Sequence, residues 1–124
     1  MKWPIIIYCS GWPLKSWQSG RVLYIGIPIV IIRKGYESDR GTYLHELTHV
    51  KQWEERPFTH WIRYTFSKTY RAKCEAEAYA VQVHRGYMSL QDAATLLSKY
   101  YNLGISKNTA ETLIYGQISL LEGI

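Results

Sequence analysis

Two histidines and a glutamate stand in the run His45-Glu46-Leu47-Thr48-His49, and their spacing fits one kind of chemistry. On a helix, residues four apart lie one turn above each other on the same face. Two imidazoles so placed can each bring a ring nitrogen to about 2.0–2.1 Å from a single Zn²⁺. Glu46, next to the first histidine, would lie over the metal's open position. There it would take a proton from a water and later pass it to a leaving amine. Zinc lowers the pKa of such a water toward about 7. Fewer than about one chain in a hundred of this length would carry this HExxH pattern by accident.

A catalytic zinc takes three protein ligands and leaves the fourth position to water. The extended pattern HExxHxxGxxH is excluded, since Gln52 stands where its glycine would be and Glu55 where its third histidine would be. Cys74 is a poor third ligand, because thiolates belong mostly to closed structural sites. His60 and His84 are available. The acidic pair Glu75 and Glu77, in Cys74-Glu75-Ala76-Glu77-Ala78-Tyr79-Ala80, is better placed. It holds the first acids after Glu55, and its alanines would let two helices approach closely.

These groups need elements to hold them. Ile5-Ile6-Ile7-Tyr8, Val22-Leu23-Tyr24-Ile25 and Ile29-Val30-Ile31-Ile32 are β-rich, with Ser10-Gly11-Trp12-Pro13 and Gly26-Ile27-Pro28 as turns or a bulge. Pro28 lacks a ladder donor, which predicts an edge strand or a bend there. From Thr42 the period becomes helical. Ser38, Asp39 or Thr42 would cap a helix that runs to about Arg56, before Pro57. Phe58, Trp61, Ile62, Thr65, Phe66 and Thr69 follow the spacing of one helix face, and a further helix spans about 70–85, ending at Gly86. Ser89, with Asp92 three residues on, starts a helix to about Tyr101; Asn108, with Glu111, starts the last, to about Leu121. The expected architecture is α+β: a small N-terminal sheet or hairpin followed by about five helices.

Composition agrees. The 124 residues suit one domain, 1–124, and 47% apolar with 20% charged residues exclude a disordered, collagenous or coiled-coil chain. The net charge of +5 permits an anionic partner without demanding one. Cys9 and Cys74 could pair, yet two cysteines make no disulfide framework, so free thiols in a reducing cytoplasm are expected. The longest apolar run, Val22 to Ile32, is far short of the roughly 20 residues of a membrane span. The start, Met1 to Tyr8, is too short in apolar residues for a signal peptide.

His45-Glu46-Leu47-Thr48-His49-Val50-Lys51-Gln52-Trp53, followed by Glu75-Ala76-Glu77-Ala78-Tyr79, resembles the gluzincin branch of the zincin metallopeptidases. More narrowly, it resembles the minimal, often phage- or prophage-encoded members with HELTHVxQ and a later ExEAY or ExxAD segment. The resemblance covers about residues 42–81. It implies a zincin-like fold, a bound Zn²⁺, hydrolysis of a peptide or protein substrate, and for a phage product the cytoplasm of a bacterial host. It selects Glu75 over Glu77 as the ligand joining His45 and His49, with Glu46 as general base and acid. The position four beyond Glu75, commonly an acid or amide orienting a zinc histidine, is Tyr79, whose phenol would accept from an imidazole N–H. It also implies an edge strand, here within Val22–Ile32, that pairs with substrate. An oxyanion stabiliser would come from Tyr70, Arg71, Tyr79 or His84.

The rival reading is a catalytically inactive zinc-binding phage structural or accessory protein, whose zinc would be closed by a fourth ligand such as His60, His84 or Glu77. Pro57 to Cys74 contains Arg63, Lys68, Arg71 and Lys73 and no acid, interleaved with aromatics. That combination suits weak contact with an anionic membrane or single-stranded nucleic acid. Helical spacing favours the plainer arrangement, with aromatics inward and cations outward.

Overall fold

Short β-branched runs form the first layer. The computed structural model describes residues 4–123, so the first three residues of the start read above for a leader lie outside the described residues. Strands β1 (Ile5–Cys9), β2 (Gly20–Tyr24) and β3 (Pro28–Arg33) make one sheet in the order β1-β3-β2. β2 and β3 are an antiparallel hairpin with Gly20 opposite Ile32 and Tyr24 opposite Pro28. Gly26 in its turn has φ +89°, a left-handed conformation that glycine enters without a Cβ penalty. β1 pairs in parallel with the other side of β3. Of the two readings of Pro28, edge strand or bend, the chain takes the bend, at residues 25–27 just before it, because β3 is central. Proline is tolerated because it is the strand's first residue, beside the turn. The open edge that sequence assigned to Val22–Ile32 belongs to β2.

Five helices follow among the described residues: α1 (Arg40–Glu55), α2 (His60–Phe66), α3 (Lys68–His84), α4 (Leu90–Lys99) and α5 (Lys107–Leu121). The chain is α+β, a three-stranded sheet followed by five helices. Asp39 caps α1, accepting from the Thr42 N–H, and Ser89 caps α4, accepting from Asp92. The last helix starts earlier than its Asn108–Glu111 signal: Ser106 accepts from the Thr109 N–H, which leaves Asn108 in the first turn. α4 stops at Lys99, and Tyr101 and Asn102 beyond it have φ of 72° and 54°. Ser67 separates α2 from α3: its backbone is extended, and its hydroxyl caps α3 at Tyr70.

The inward-facing aromatic stripe of residues 58–69 is overturned. Phe58 is 91% exposed, Phe66 77%, Trp61 57% and Ile62 52%. α2 is rotated the other way because His60 and Tyr64 on its inner side make hydrogen bonds to Tyr70 and Glu75.

Among the described residues there are two apolar cores. Val30, Ile32 and Val50 pack between the sheet and α1. Ala76, Ala80, Ala94, Leu97, Ala110 and Ile114 join α3, α4 and α5; burying a side chain such as Leu97 contributes about 1.5–3 kcal/mol. α1 and α3 meet between these cores, and buried polar side chains gather there. Among the described residues no helix is long and apolar enough to cross a membrane. Cys9 and Cys74 are free thiols, not a disulfide.

Candidate metal centre

α1 presents His45 and His49 from successive turns, and α3 presents Glu75 opposite them. His45 Nε2, His49 Nε2 and Glu75 Oε1 form a triangle whose three sides are each 3.2 Å. These are the three residues that the gluzincin resemblance implies as ligands, and their ligand atoms lie within 4.8 Å of one another.

The tautomers decide what this triangle can hold. His45 Nδ1 donates to Gln82 Oε1 at 2.7 Å, and His49 Nδ1 donates to Gln52 Oε1 at 2.8 Å. The Gln52 amide is orientated by its own donors, since Nε2 is bound to the Cys74 carbonyl and to Glu77 Oε1. With both Nδ1 atoms protonated, a neutral pair of imidazoles points two lone pairs at a carboxylate oxygen. Three acceptors meeting without a donor call for a cation. A tetrahedral ion with ligands at about 2.0–2.1 Å has ligand-to-ligand edges of about 3.3 Å, which the triangle matches. The donor set, two imidazoles and a carboxylate, is one that zinc accepts. The residues fit the metal.

The charges are mutually dependent. Burial by itself would raise Glu75, yet the two imidazoles and their hydrogen bonds hold it well below the carboxylate range. Burial by itself would lower His49, but Glu75, Glu46 and Gln52 together lift it to about 10. Tyr64 on α2 donates its hydroxyl to Glu75 Oε2, which also lies 3.2 Å from His49 Nε2, while Oε1 faces both histidines. Glu46, on the turn between the ligands, is 5% exposed, and burial raises its pKa above the usual glutamate value. Gly20 of β2 lies against its side chain.

The remaining sequence candidates have other tasks. Tyr79 does not accept from an imidazole: its ring lies edge-on to His45 at 4.6 Å, and its hydroxyl pairs with that of Tyr101 at 2.6 Å. Gln82, one turn further along α3, takes the orienting role instead. Glu77 lies outside the triangle, bonded to Gln52 and 3.7 Å from Lys51 Nζ. Arg71 is no oxyanion donor: its guanidinium donates to the carbonyls of Tyr64, Thr65, Tyr101 and Asn102, clipping the α2–α3 and α4–α5 junctions together. Tyr70 is bound to His60 Nδ1 at 2.8 Å. His84 is exposed in the last turn of α3 and does not join the triangle.

Sequence reading missed Gln52, Gln82, Tyr64 and Gly20. Gln52 had a detectable signal, standing three residues after His49 on the same helix face. No protein-family model, curated protein or solved structure matches the chain at a significant level; the chemistry of the centre rests on its own geometry.

Proposed function

We propose that this chain is a compact zinc-dependent peptidase of gluzincin type, with His45, His49 and Glu75 as metal ligands and Glu46 as general base and acid. The observation that carries this reading is the convergence of three acceptor atoms at mutual distances of 3.2 Å, with a buried carboxylate on the intervening turn. Zinc, when bound, supplies a Lewis acid and lowers the pKa of a water to about 7. Gln82 and Gln52 keep the imidazoles in the tautomer that offers Nε2. Tyr64 donates to Oε2 of Glu75 and so helps to fix the carboxylate facing the two imidazoles. Glu46 takes a proton from the attacking water and returns it to the leaving amine. Its raised pKa brings it nearer to the range in which a carboxyl serves both steps at neutral pH.

An extended peptide would add to the open edge of β2, the strand that begins at Gly20 beside Glu46. A purely structural zinc would call for a fourth protein ligand. His60 is engaged by Tyr70 and Glu77 by Gln52, while His84 stands exposed, so none supports that alternative. The two free cysteines are in keeping with a reducing cytoplasm.

Glu46→Gln is the test. It should retain zinc and lower cleavage of a fluorescence-quenched peptide library by about 10²–10⁴-fold, the usual contribution of general acid–base catalysis. A fully zinc-loaded wild-type protein that cleaves no member of the library contradicts the peptidase reading.

A further inference from the structure

α2 turns its large apolar side chains away from the protein. Phe58, just before the helix, and Phe66, at its end, are 91% and 77% exposed, with Trp61 and Ile62 between them more than half exposed. Trp61 and Phe66 meet edge-to-face at 6.4 Å, so the rings pack on each other above the surface. The rotation that exposes them is fixed from the other side. Tyr64 is held by Glu75 and His60 by Tyr70, both on α3. Apolar residues gathered on one outward face, instead of scattered singly, mark a contact surface.

The charge around this ridge has one sign. Residues 56–74 contain no acid, and Arg56, Arg63, Lys68 and Lys73 are all exposed. Arg71, the other cation of the stretch, is buried and committed to backbone carbonyls. The neighbouring acids lie outside it: Glu54 and Glu55 at the end of α1, and Glu77, which is engaged by Gln52 and Lys51. Protruding Trp, Phe and Ile rimmed by Lys and Arg are what the boundary of an anionic bilayer accommodates. The apolar groups enter the headgroup–acyl region, and the cations meet lipid phosphates. Single-stranded nucleic acid fits less well, since it is bound on aromatic platforms along a basic groove. Here one of the four apolar groups is aliphatic, and the rings project from one short helix and the turn just before it.

We propose that the outer face of α2 docks this protein on an anionic lipid bilayer, with Phe58, Trp61, Ile62 and Phe66 inserted and Arg63 and Lys68 on the headgroups. The proposal does not depend on the metal centre being hydrolytic. If both hold, the peptides within reach of the centre are those close to a membrane surface, because Tyr64 joins α2 directly to Glu75.

The test is flotation of the full-length protein with vesicles of phosphatidylcholine containing phosphatidylglycerol, and with vesicles of phosphatidylcholine alone. The protein should float with the anionic vesicles, less so at high salt. Binding should fall about tenfold or more in the double variant Trp61→Ser, Phe66→Ser and in the double variant Arg63→Glu, Lys68→Glu. Both pairs are exposed, so the unfolding temperature and zinc content should stay at wild-type values. Absence of flotation with anionic vesicles overturns the proposal, as does undiminished flotation of the Trp61→Ser, Phe66→Ser protein. So does retention on single-stranded oligonucleotide, lost in these variants, without vesicle binding.

Discussion

Gly20, the first residue of β2, abuts the Glu46 side chain of α1: a methyl group at Gly20 would meet Glu46 Cγ at 2.8 Å and Oε2 at 3.0 Å. From there strand and helix run side by side. Ser19 bonds Thr42 at 3.1 Å, and Tyr24 stacks on Trp53 at 5.3 Å. The open edge of the sheet is thereby registered on the carboxylate proposed as base.

Gly20→Ala should consequently act on Glu46. Cγ is not the free end of the side chain, so the strand or the helix must give way, at a cost of about 1–3 kcal/mol. Hydrolysis should fall while zinc is retained. Chemical denaturation of Gly20→Ala, Glu46→Ala and the double variant checks the contact. Much of the Gly20→Ala loss should vanish in the double variant; strictly additive losses would show that the two side chains do not compete.

Tyr64→Phe removes the hydroxyl donor to Glu75 Oε2 and leaves that buried oxygen with His49 alone. Loss of such an outer partner should lower zinc affinity about 10–100-fold in chelator competition. Tyr70→Phe, whose hydroxyl serves His60, should leave affinity unchanged. Equal affinities for wild type and Tyr64→Phe would mean that Tyr64 only packs.

His60 supplies an acid-sensitive stability. Burial, reinforced by nearby His49, lowers its pKa from 6.5 to about 4. Between those values the unfolded chain binds more protons than the folded one, so this contribution is complete above pH 6.5 and is lost as pH falls toward 4. Glu75, held below its ordinary 4.5, adds a loss that begins only as pH drops through that value. The unfolding temperature should decline over the His60 window in the wild type and more gently in His60→Gln. Parallel declines would contradict the assignment.

How much of this could be read beforehand depends on how local each feature is. The i, i+4 geometry of His45 and His49 is internal to one helix, and Asp39, Ser89 and Pro57 mark elements by rules that act within a few residues. The choice of Glu75 over Glu77 came from resemblance, because the spacing admits either. What was misread is non-local. Which residue of α3 reaches His45 depends on how α1 and α3 cross, and that crossing brings Gln82 to His45 Nδ1 and sends the Tyr79 hydroxyl to Tyr101. The periodicity of residues 58–69 located an apolar face on α2 but not the direction it faces, which the inward bonds of His60 and Tyr64 decide. Arg71 looked like a free cation because backbone carbonyls that would satisfy it are invisible in a residue list.

Zinc titration into metal-stripped protein, followed by metal analysis after dialysis, tests the central claim most directly. The wild type, Glu46→Gln and Glu77→Ala should each retain one zinc per chain. His45→Ala and Glu75→Ala should retain none under the same dialysis. Full zinc retention by Glu75→Ala, or no stoichiometric zinc in the wild type, would contradict the account.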